Sequence, residues 1–165
     1  MIDANQIDIG LVGRPATLRQ LHFDFVEEVE DIFVATEEYM HNLYLRGVGQ
    51  SEIFEQATLM LLDQNNLSRQ YIDQYFASHQ IQVADIIEVS NMDLLIDFAK
   101  ISLGVSCVIR RFVENELAGG TLIELPLASP VPKREIGFVY NASHPQSHAM
   151  KTFIDFYSAS HVPVS

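Results

Sequence analysis

Two polar turns, each at the start of a predicted helix, contain the residues best suited to bind a small molecule. Asn65, Asn66 and Ser68 follow one apolar strand, and Ser90 and Asn91 follow a later one. A helix start presents backbone amides and the positive end of the helix dipole, which favour an anionic or polar group. If both turns face one crevice, they predict a site for a carboxylate or a similar small group. The alternative is that all five are ordinary caps and turn residues.

Three more residues are candidates because they stand at or beyond the ends of predicted strands. Gly13 and Arg14 follow the apolar run Ile7 to Val12, and ligands of open α/β sheets bind beyond the carboxyl ends of strands. The alternative for Arg14, which we favour, is a solvated loop side chain. Ser106 and its neighbour Cys107 lie near the carboxyl end of the central strand, so the side chain of either could point into the crevice. A cysteine at such a position is more often a small core residue.

Catalytic and metal-binding patterns are absent from the sequence. It contains no GxSxG, HExxH, Walker, GxGxxG or CxxC motif. His144 and His148 are four residues apart and could share a helix face. However, Pro145 suits a helix start, and two ligands are too few for a structural metal site. We therefore predict no enzyme activity, no metal and no cofactor.

The second polar turn depends on a helix that is predicted to begin at Ser90. Ser90 precedes Asp93 by three residues, which is the spacing of a capping box. An apolar stripe that would lie on a sheet follows, made of Leu94, Leu95, Phe98 and Ile101. The sequence therefore predicts that this helix carries the turn at one end of a buried strand.

The rest of the chain consists of short apolar strands and amphipathic helices. Its nearly continuous apolar runs suit strands that are covered on both faces. Strands are predicted at Ile7 to Val12, Thr58 to Leu62, Ile81 to Glu88 with Ile87 and Val89 inward, Leu103 to Ile109, and Thr121 to Leu125. Helices are predicted at Arg110 to Leu117 and after Ser68, where Tyr71, Ile72, Tyr75 and Phe76 form one apolar face.

The composition is that of a globular protein whose surface repels nucleic acid. Of its 165 residues, 48% are apolar, and the net charge is −12. Acidic residues are concentrated between Asp24 and Glu38, where a phosphate backbone would be repelled. The chain has one cysteine, no export signal, and no apolar run of the ~20 residues that span a bilayer. We therefore expect a cytoplasmic protein with no membrane contact and no DNA contact of its own.

Several runs of residues carry a family resemblance. The first are Leu103-Gly104-Val105 and the run Asn115 to Leu122, Asn-Glu-Leu-Ala-Gly-Gly-Thr-Leu. Others follow in the family's order at Gln6 to Gly13, Phe23 to Thr36, His41 to Leu43, Arg134 to Tyr140, and Ser147 to Tyr157. Together they resemble the effector-binding domain of LysR-type transcriptional regulators.

The resemblance implies an α/β fold similar to type 2 periplasmic binding proteins. It predicts one three-layer α/β/α lobe with a mixed sheet, the second regulatory subdomain (RD-II), and an incomplete first lobe (RD-I). The implied division is 1–35 for the RD-I remnant and crossover strand, 36–130 for RD-II, and 131–165 for the return strand and last helix of RD-I. The family usually has Gly at the position of Ser102 and Pro at that of Ile109, so the ends of the central strand are expected to differ.

The resemblance also implies a function, which is to sense a small polar or anionic metabolite. A winged helix-turn-helix domain is expected ahead of Met1, and the protein would touch DNA only through it. A homo-oligomer is expected, and the incomplete lobe should itself promote self-association. The alternative is a stand-alone solute-binding protein of similar fold, which would need an export signal.

Overall fold

The chain folds into two compact units of unequal size. The computed structural model describes residues 9–14, 21–141 and 148–160. Unit 1 contains Met1–Val29 and Arg134–Ser165, and unit 2 contains Glu30–Lys133. The strand Asp31–Ala35 pairs inside the sheet of unit 2. The predicted division of the chain at residues 36 and 131 stays a prediction. Within the described ranges, no helix has the length and apolar character needed to cross a membrane.

The secondary structure alternates strands and helices along most of the chain. The strands are β1 (Ile9–Gly13), β2 (Leu21–Val29), β3 (Asp31–Ala35), β4 (Thr58–Leu62), β5 (Asp85–Val89), β6 (Val105–Ile109), β7 (Ile123–Glu124) and β8 (Arg134–Asn141). The helices are α1 (Glu37–Leu45), α2 (Ile53–Gln56), α3 (Leu67–Ser78), α4 (Met92–Lys100), α5 (Glu114–Ala118) and α6 (His148–Ser160). Short 3-10 helices at Gln50–Glu52 and Arg110–Val113 precede α2 and α5.

Unit 2 is a three-layer α/β/α structure built on a mixed sheet. The strand order is β5-β4-β6-β3-β7, with β4 parallel to β5 and β6, and β3 antiparallel to β6 and β7. Leu59 and Leu61 of β4 pack with buried residues of α1, α2 and α3 on one face. Met60 and Leu62 pack with α4 on the other. The predicted fold is therefore confirmed.

Two expectations for α4 are wrong in detail. The N-cap is Asn91, whose Oδ1 accepts from the Leu94 backbone N–H at 3.0 Å, so the helix begins one residue later than the Ser90 cap predicts. The stripe that faces the sheet consists of Leu95, Ile96 and Ala99, and Phe98 packs beside them. Leu95 and Phe98 of the predicted stripe are therefore confirmed. Leu94 is 36% exposed and Ile101 70% exposed. The apolar residues of this segment cover more than one helix face, so their spacing alone does not identify the buried one.

Three helices of unit 2 end in the same C-terminal motif. After α1, α3 and α4, the next residue but one adopts a left-handed conformation, with φ of 82° at Gly47, 54° at Gln80 and 60° at Ser102. For α4, the Leu103 N–H donates to the Phe98 carbonyl, and the Ser102 N–H donates to the Ala99 carbonyl. This is the Schellman arrangement, in which glycine usually occupies the left-handed position.

Ser102 occupies a position where the family that the sequence resembles usually has glycine. The positive φ of its backbone explains the family's preference for glycine there. A side chain at positive φ costs energy that glycine avoids. Ser102 Oγ lies 2.6 Å from Thr36 Oγ1 in a hydrogen bond, and Thr36 also caps α1 by accepting from the Tyr39 N–H. The serine therefore compensates for its strained backbone by joining the end of α4 to the start of α1.

Gly104 sets the close approach of β6 to β4. A Cβ at this position would lie 2.4 Å from the Thr58 carbonyl oxygen, a distance that side-chain carbons do not tolerate. The parallel pairing begins at once afterwards, with Leu59 opposite Val105. Only glycine lets the chain enter β6 in this register.

Several other predicted elements differ at their boundaries. The strand predicted at Ile81 to Glu88 is β5, which starts at Asp85 and leaves Ile87 36% exposed instead of inward. The helix predicted at Arg110 to Leu117 is divided into a 3-10 turn and α5. The strand predicted at Thr121 to Leu125 is reduced to β7.

In the residues that the structure describes, unit 1 contains a three-stranded antiparallel sheet and one helix. The sheet order is β1-β8-β2, and the register between β2 and β8 shifts between Phe25 and Glu27. Phe138 of β8 packs edge-on against Phe153 and Tyr157 of α6 at 5.3 and 4.9 Å between ring centres. Of the predicted histidine pair, His148 opens α6, and His144 lies outside the described residues.

Candidate functional site

The parallel pairing of β4 with β5 brings the two polar turns to one edge of the sheet. Leu62 and Val89, the last residues of these strands, are partners in the register. The chain then enters α3 through Asn66 and α4 through Asn91. Because α3 and α4 cover opposite faces of the sheet, their first turns diverge from adjacent strands. Such a point of divergence is where open α/β sheets hold ligands.

The turn into α3 is built from local hydrogen bonds. The Asn65 N–H donates to Asp63 Oδ1 at 3.0 Å, and the Asn66 N–H donates to the Asp63 carbonyl at 3.0 Å. Asn66 Oδ1 then accepts from the Ser68 N–H at 2.8 Å. Asn66 is therefore the helix cap, while the side chain of Asn65 is exposed.

The turn into α4 uses one asparagine in the same way. Asn91 is extended at the N-cap position, and its Oδ1 accepts from the Leu94 N–H. Ser90 and Asp93 are exposed beside it. In both helices the first amides have no intrahelical acceptor, and each cap side chain satisfies only one of them. Other first-turn amides at both turns can therefore donate to a polar or anionic ligand.

Arg69 is a structural part of this edge that the sequence did not reveal. Its side chain is 5% exposed, with Nε 2.9 Å from Asp73 Oδ1 and Nη1 3.2 Å from Glu88 Oε1. Nη1 also donates to the Leu62 carbonyl at 2.8 Å. The four-residue spacing from Arg69 to Asp73 is a helix ion-pair signal, but the contact with β4 and β5 depends on the tertiary fold. Arg69 fixes the first turn of α3 against the ends of both strands.

Arg110 lies at the same edge of the sheet, directly after the end of β6. Its Nε lies 3.0 Å from Glu30 Oε2, and its Nη2 lies 2.7 Å from Glu124 Oε1. The hydrogen bonds to Glu124 and then Glu30 raise the pKa of Arg110. Arg69 and Arg110 are thus each matched to two carboxylates. Recognition of an anion at this edge would therefore fall mainly to the backbone amides.

A small cavity within unit 2 opens at this edge. Its volume is about 10 Å³, and Asp31, Ser68, Arg69, Met92 and Cys107 contribute to its lining. That volume corresponds to about one water molecule. A metabolite would therefore lie over this edge, outside the cavity.

Ser106 and Cys107 point to opposite faces of the sheet, as neighbours in a strand must. Ser106 is fully buried, and its Oγ donates to the Leu95 carbonyl in α4 at 2.7 Å. Cys107 lines the small cavity beside Ser68 and Arg69. The structure therefore does not bring Ser106 to the edge, and it is the cysteine that lies there.

Gly13 and Arg14 belong to unit 1, where Arg14 contacts its own sheet. Arg14 Nη1 lies 2.6 Å from Glu135 Oε2, and its guanidinium carbon lies 5.5 Å from the ring centre of Phe23. The other six candidates lie in unit 2. In the ranges that the structure describes, no three His, Cys, Asp or Glu side chains are grouped so that they could hold a metal ion.

Comparison with known proteins identifies one family over almost the whole chain. The model of the LysR substrate binding domain matches residues 1–161. A curated relative, described as an uncharacterized HTH-type transcriptional regulator, YeiE, from Escherichia coli K12, is 24% identical over 159 residues. That match covers 96% of this chain and 53% of YeiE. The chain therefore spans about half the length of the curated relatives it matches.

Solved regulatory domains share the fold at low sequence identity. The CcmR regulatory domain of Synechocystis PCC6803, in complex with 2-PG, aligns with a TM-score of 0.76 and 16% identity, covering 99% of this chain and 77% of that one. The effector binding domain of QuiR, in complex with shikimate, aligns with a TM-score of 0.73 and 19% identity, covering 97% and 74%.

Proposed function

The chain belongs to the LysR substrate binding domain family. On that premise, we propose that it is an effector-sensing regulatory domain, and that it recognises a small polar or anionic metabolite where the first turns of α3 and α4 diverge. The residues proposed to contact this metabolite are Asn65, Asn66, Ser68, Ser90 and Asn91. Gly13 and Arg14 stay predictions for unit 1.

One observation carries the proposal, namely the shared register position of Leu62 and Val89. It brings two helix starts to adjacent strand ends, so that two sets of first-turn amides lie at one edge. A single helix start would be an ordinary cap, but two that diverge from neighbouring strands form the kind of crevice that α/β proteins use for ligands.

The ligands of structural relatives support the proposal. CcmR was solved with 2-PG, and QuiR was solved with shikimate. A fold of this kind thus accommodates small molecules in at least two other proteins. We extend this to the chain as a class of ligand, and not as a specific compound.

In the longer protein to which such a domain belongs, we propose that effector binding changes how a DNA-binding part is presented. The name of YeiE as an HTH-type regulator supports this role. The net charge of −12 argues that the domain itself does not hold DNA. An effector can shift the equilibrium between two arrangements of such a protein only by the difference in its binding free energy for them.

We further propose that the protein is a homo-oligomer in the cytoplasm, and that it binds its ligand without transforming it.

Calorimetric titration with small carboxylates, amino acids and shikimate tests the proposal. Ligands that release or absorb heat are then measured on Asn65→Asp, which adds one negative charge at the turn into α3. At an exposed site such a charge costs a bound anion ~1 kcal/mol, or about fivefold in affinity. Asn115→Asp makes the same change on α5 and should leave affinity unaltered. An anion whose affinity is equal in both variants would contradict this placement.

A further inference from the structure

A larger cavity lies at the opposite end of α3 from Asn66. Its volume is about 800 Å³, within the range of about 300–1,000 Å³ that small-molecule sites occupy. Phe54, Tyr75 and His79 line it together with Gln82 and the segment 126–129. We refer to it as the α3 C-terminal cavity. It is entirely within unit 2, and none of the predicted site residues lines it.

The floor of this cavity is aromatic and continuous with the core. The Phe54 ring meets Phe33 at 4.9 Å and Phe76 at 5.5 Å between centres, both edge to face. Tyr75 is buried next to Phe76 at 5.9 Å. A planar ring placed on this floor would gain apolar burial and favourable ring contacts.

One wall of the cavity is held in place by side-chain hydrogen bonds. Gln50 Nε2 donates to the Pro126 carbonyl at 3.0 Å, and the Tyr75 hydroxyl donates to the Ser129 carbonyl at 2.6 Å. His79 Nε2 lies 3.1 Å from Ser129 Oγ. The segment 126–129 is therefore fixed before any ligand arrives, which lowers the entropic cost of binding.

The charge of the lining selects among ligands. Among the described residues that form the cavity, Glu55 is the carboxylate and none is lysine or arginine. Both ring nitrogens of His79 lie within hydrogen-bonding distance of protein oxygens, Nδ1 of the Tyr75 carbonyl and Nε2 of Ser129 Oγ. The Tyr75 hydroxyl is neutral at neutral pH, and burial raises its pKa further. An anion would meet no fixed countercharge in this cavity, while an amine could approach Glu55.

We propose that the α3 C-terminal cavity is a second small-molecule site, which binds a neutral or cationic planar ring more tightly than an anionic one. The site is separate from the edge proposed for the effector, and it differs in the charge of its ligand.

Amide chemical shifts of the 15N-labelled chain test this proposal with three indoles that differ in charge: tryptamine, indole-3-carboxamide and indole-3-acetate. The first two should shift the amides of Gln50, Gln82 and Ser129, while indole-3-acetate should bind at least about threefold more weakly. The amides of Asn66 and Asn91 report the effector edge separately. The failure of one site is thus distinguishable from the failure of the other.

Two charge-neutralising variants sharpen the test. Glu55→Gln should weaken tryptamine about threefold without changing the carboxamide, because only the amine interacts with the carboxylate. Asp97→Asn removes an equal charge from an exposed position of α4 and should change neither. The proposal is overturned if the cavity amides do not respond at millimolar ligand, if indole-3-acetate binds as tightly as tryptamine, or if Asp97→Asn matches the effect of Glu55→Gln.

Discussion

Leu62 and Val89 end their strands as register partners, and the turns that follow them leave the sheet side by side. Asn66 and Asn91 cap the two helices that start there. Because these helices cover opposite faces, the gap between their first turns is a consequence of the topology. The path of the backbone therefore creates the candidate site, and the side chains at the two turns decide which ligand would fit it.

The position of the α4 cap can be tested by alanine substitution. Asn91→Ala should lower the free energy of unfolding by ~1 kcal/mol, because the Leu94 N–H loses its acceptor. Ser90→Ala should change it by less than ~0.5 kcal/mol, since this exposed residue precedes the cap. Urea unfolding measures both. Equal losses, or a greater loss for Ser90→Ala, would contradict the assignment of Asn91 as the cap of α4.

Arg69 should contribute to stability more than any exposed arginine. Arg69→Met leaves the Leu62 carbonyl without its side-chain donor, and we expect a loss of ~2 kcal/mol. Asp73 and Glu88 are half exposed, so water would solvate their carboxylates and limit the loss. Arg46→Met, at an exposed position after α1, should cost less than ~0.5 kcal/mol. Similar unfolding midpoints for the two variants would contradict the role assigned to Arg69.

The left-handed positions after α3 and α4 should respond differently to glycine. Gln80→Gly should stabilise the protein by ~1 kcal/mol, because glycine removes the strain of a positive φ. Ser102→Gly should be nearly neutral, since it gains the same relief but loses the hydrogen bond to Thr36, worth ~1 kcal/mol. Thermal unfolding would compare the two. A stabilisation by Ser102→Gly as large as that by Gln80→Gly would mean that the Thr36 contact contributes nothing.

Tyr75 should make stability fall at alkaline pH. Burial raises its pKa above the ordinary value of 10.0 in the folded state, so the folded protein holds this proton more tightly than the unfolded chain does. Stability from this group is complete below pH 10.0 and is lost as pH rises through the folded pKa.

The Tyr75→Phe variant isolates this effect. It should cost ~1 kcal/mol at neutral pH, through the lost hydrogen bond to Ser129, and should flatten the alkaline decline. Urea unfolding between neutral pH and pH ~11 would show both effects. The control is Tyr44→Phe, at an exposed position of α1, which should keep the slope of the parent. An unchanged slope in Tyr75→Phe would mean that other groups cause the decline.

The sequence was most informative where local chemistry decides the structure. The continuous apolar run Thr58 to Leu62 became β4 at those limits, and Asn66 became a helix cap. The family resemblance in Leu103-Gly104-Val105 predicted the fold, and Gly104 proved to be required by a backbone approach.

It was least informative where tertiary pairing decides. Nothing local shows that Arg69 is buried, because its carbonyl partner lies in β4 and Glu88 lies in β5. Whether Ser106 or Cys107 lies at the candidate site depends on which face of β6 each helix layer covers, and the sequence does not show this. The exposure of Ile101 likewise depends on which face of α4 the sheet covers.

The most direct test of the central claim is to map backbone amide shifts on titration with a ligand that gives calorimetric heat. We predict that the largest shifts fall in residues 63–69 and 89–93, at the two turns that Asn66 and Asn91 cap. A ligand that binds with measurable heat while these amides stay unshifted would contradict the claim that this edge recognises the effector.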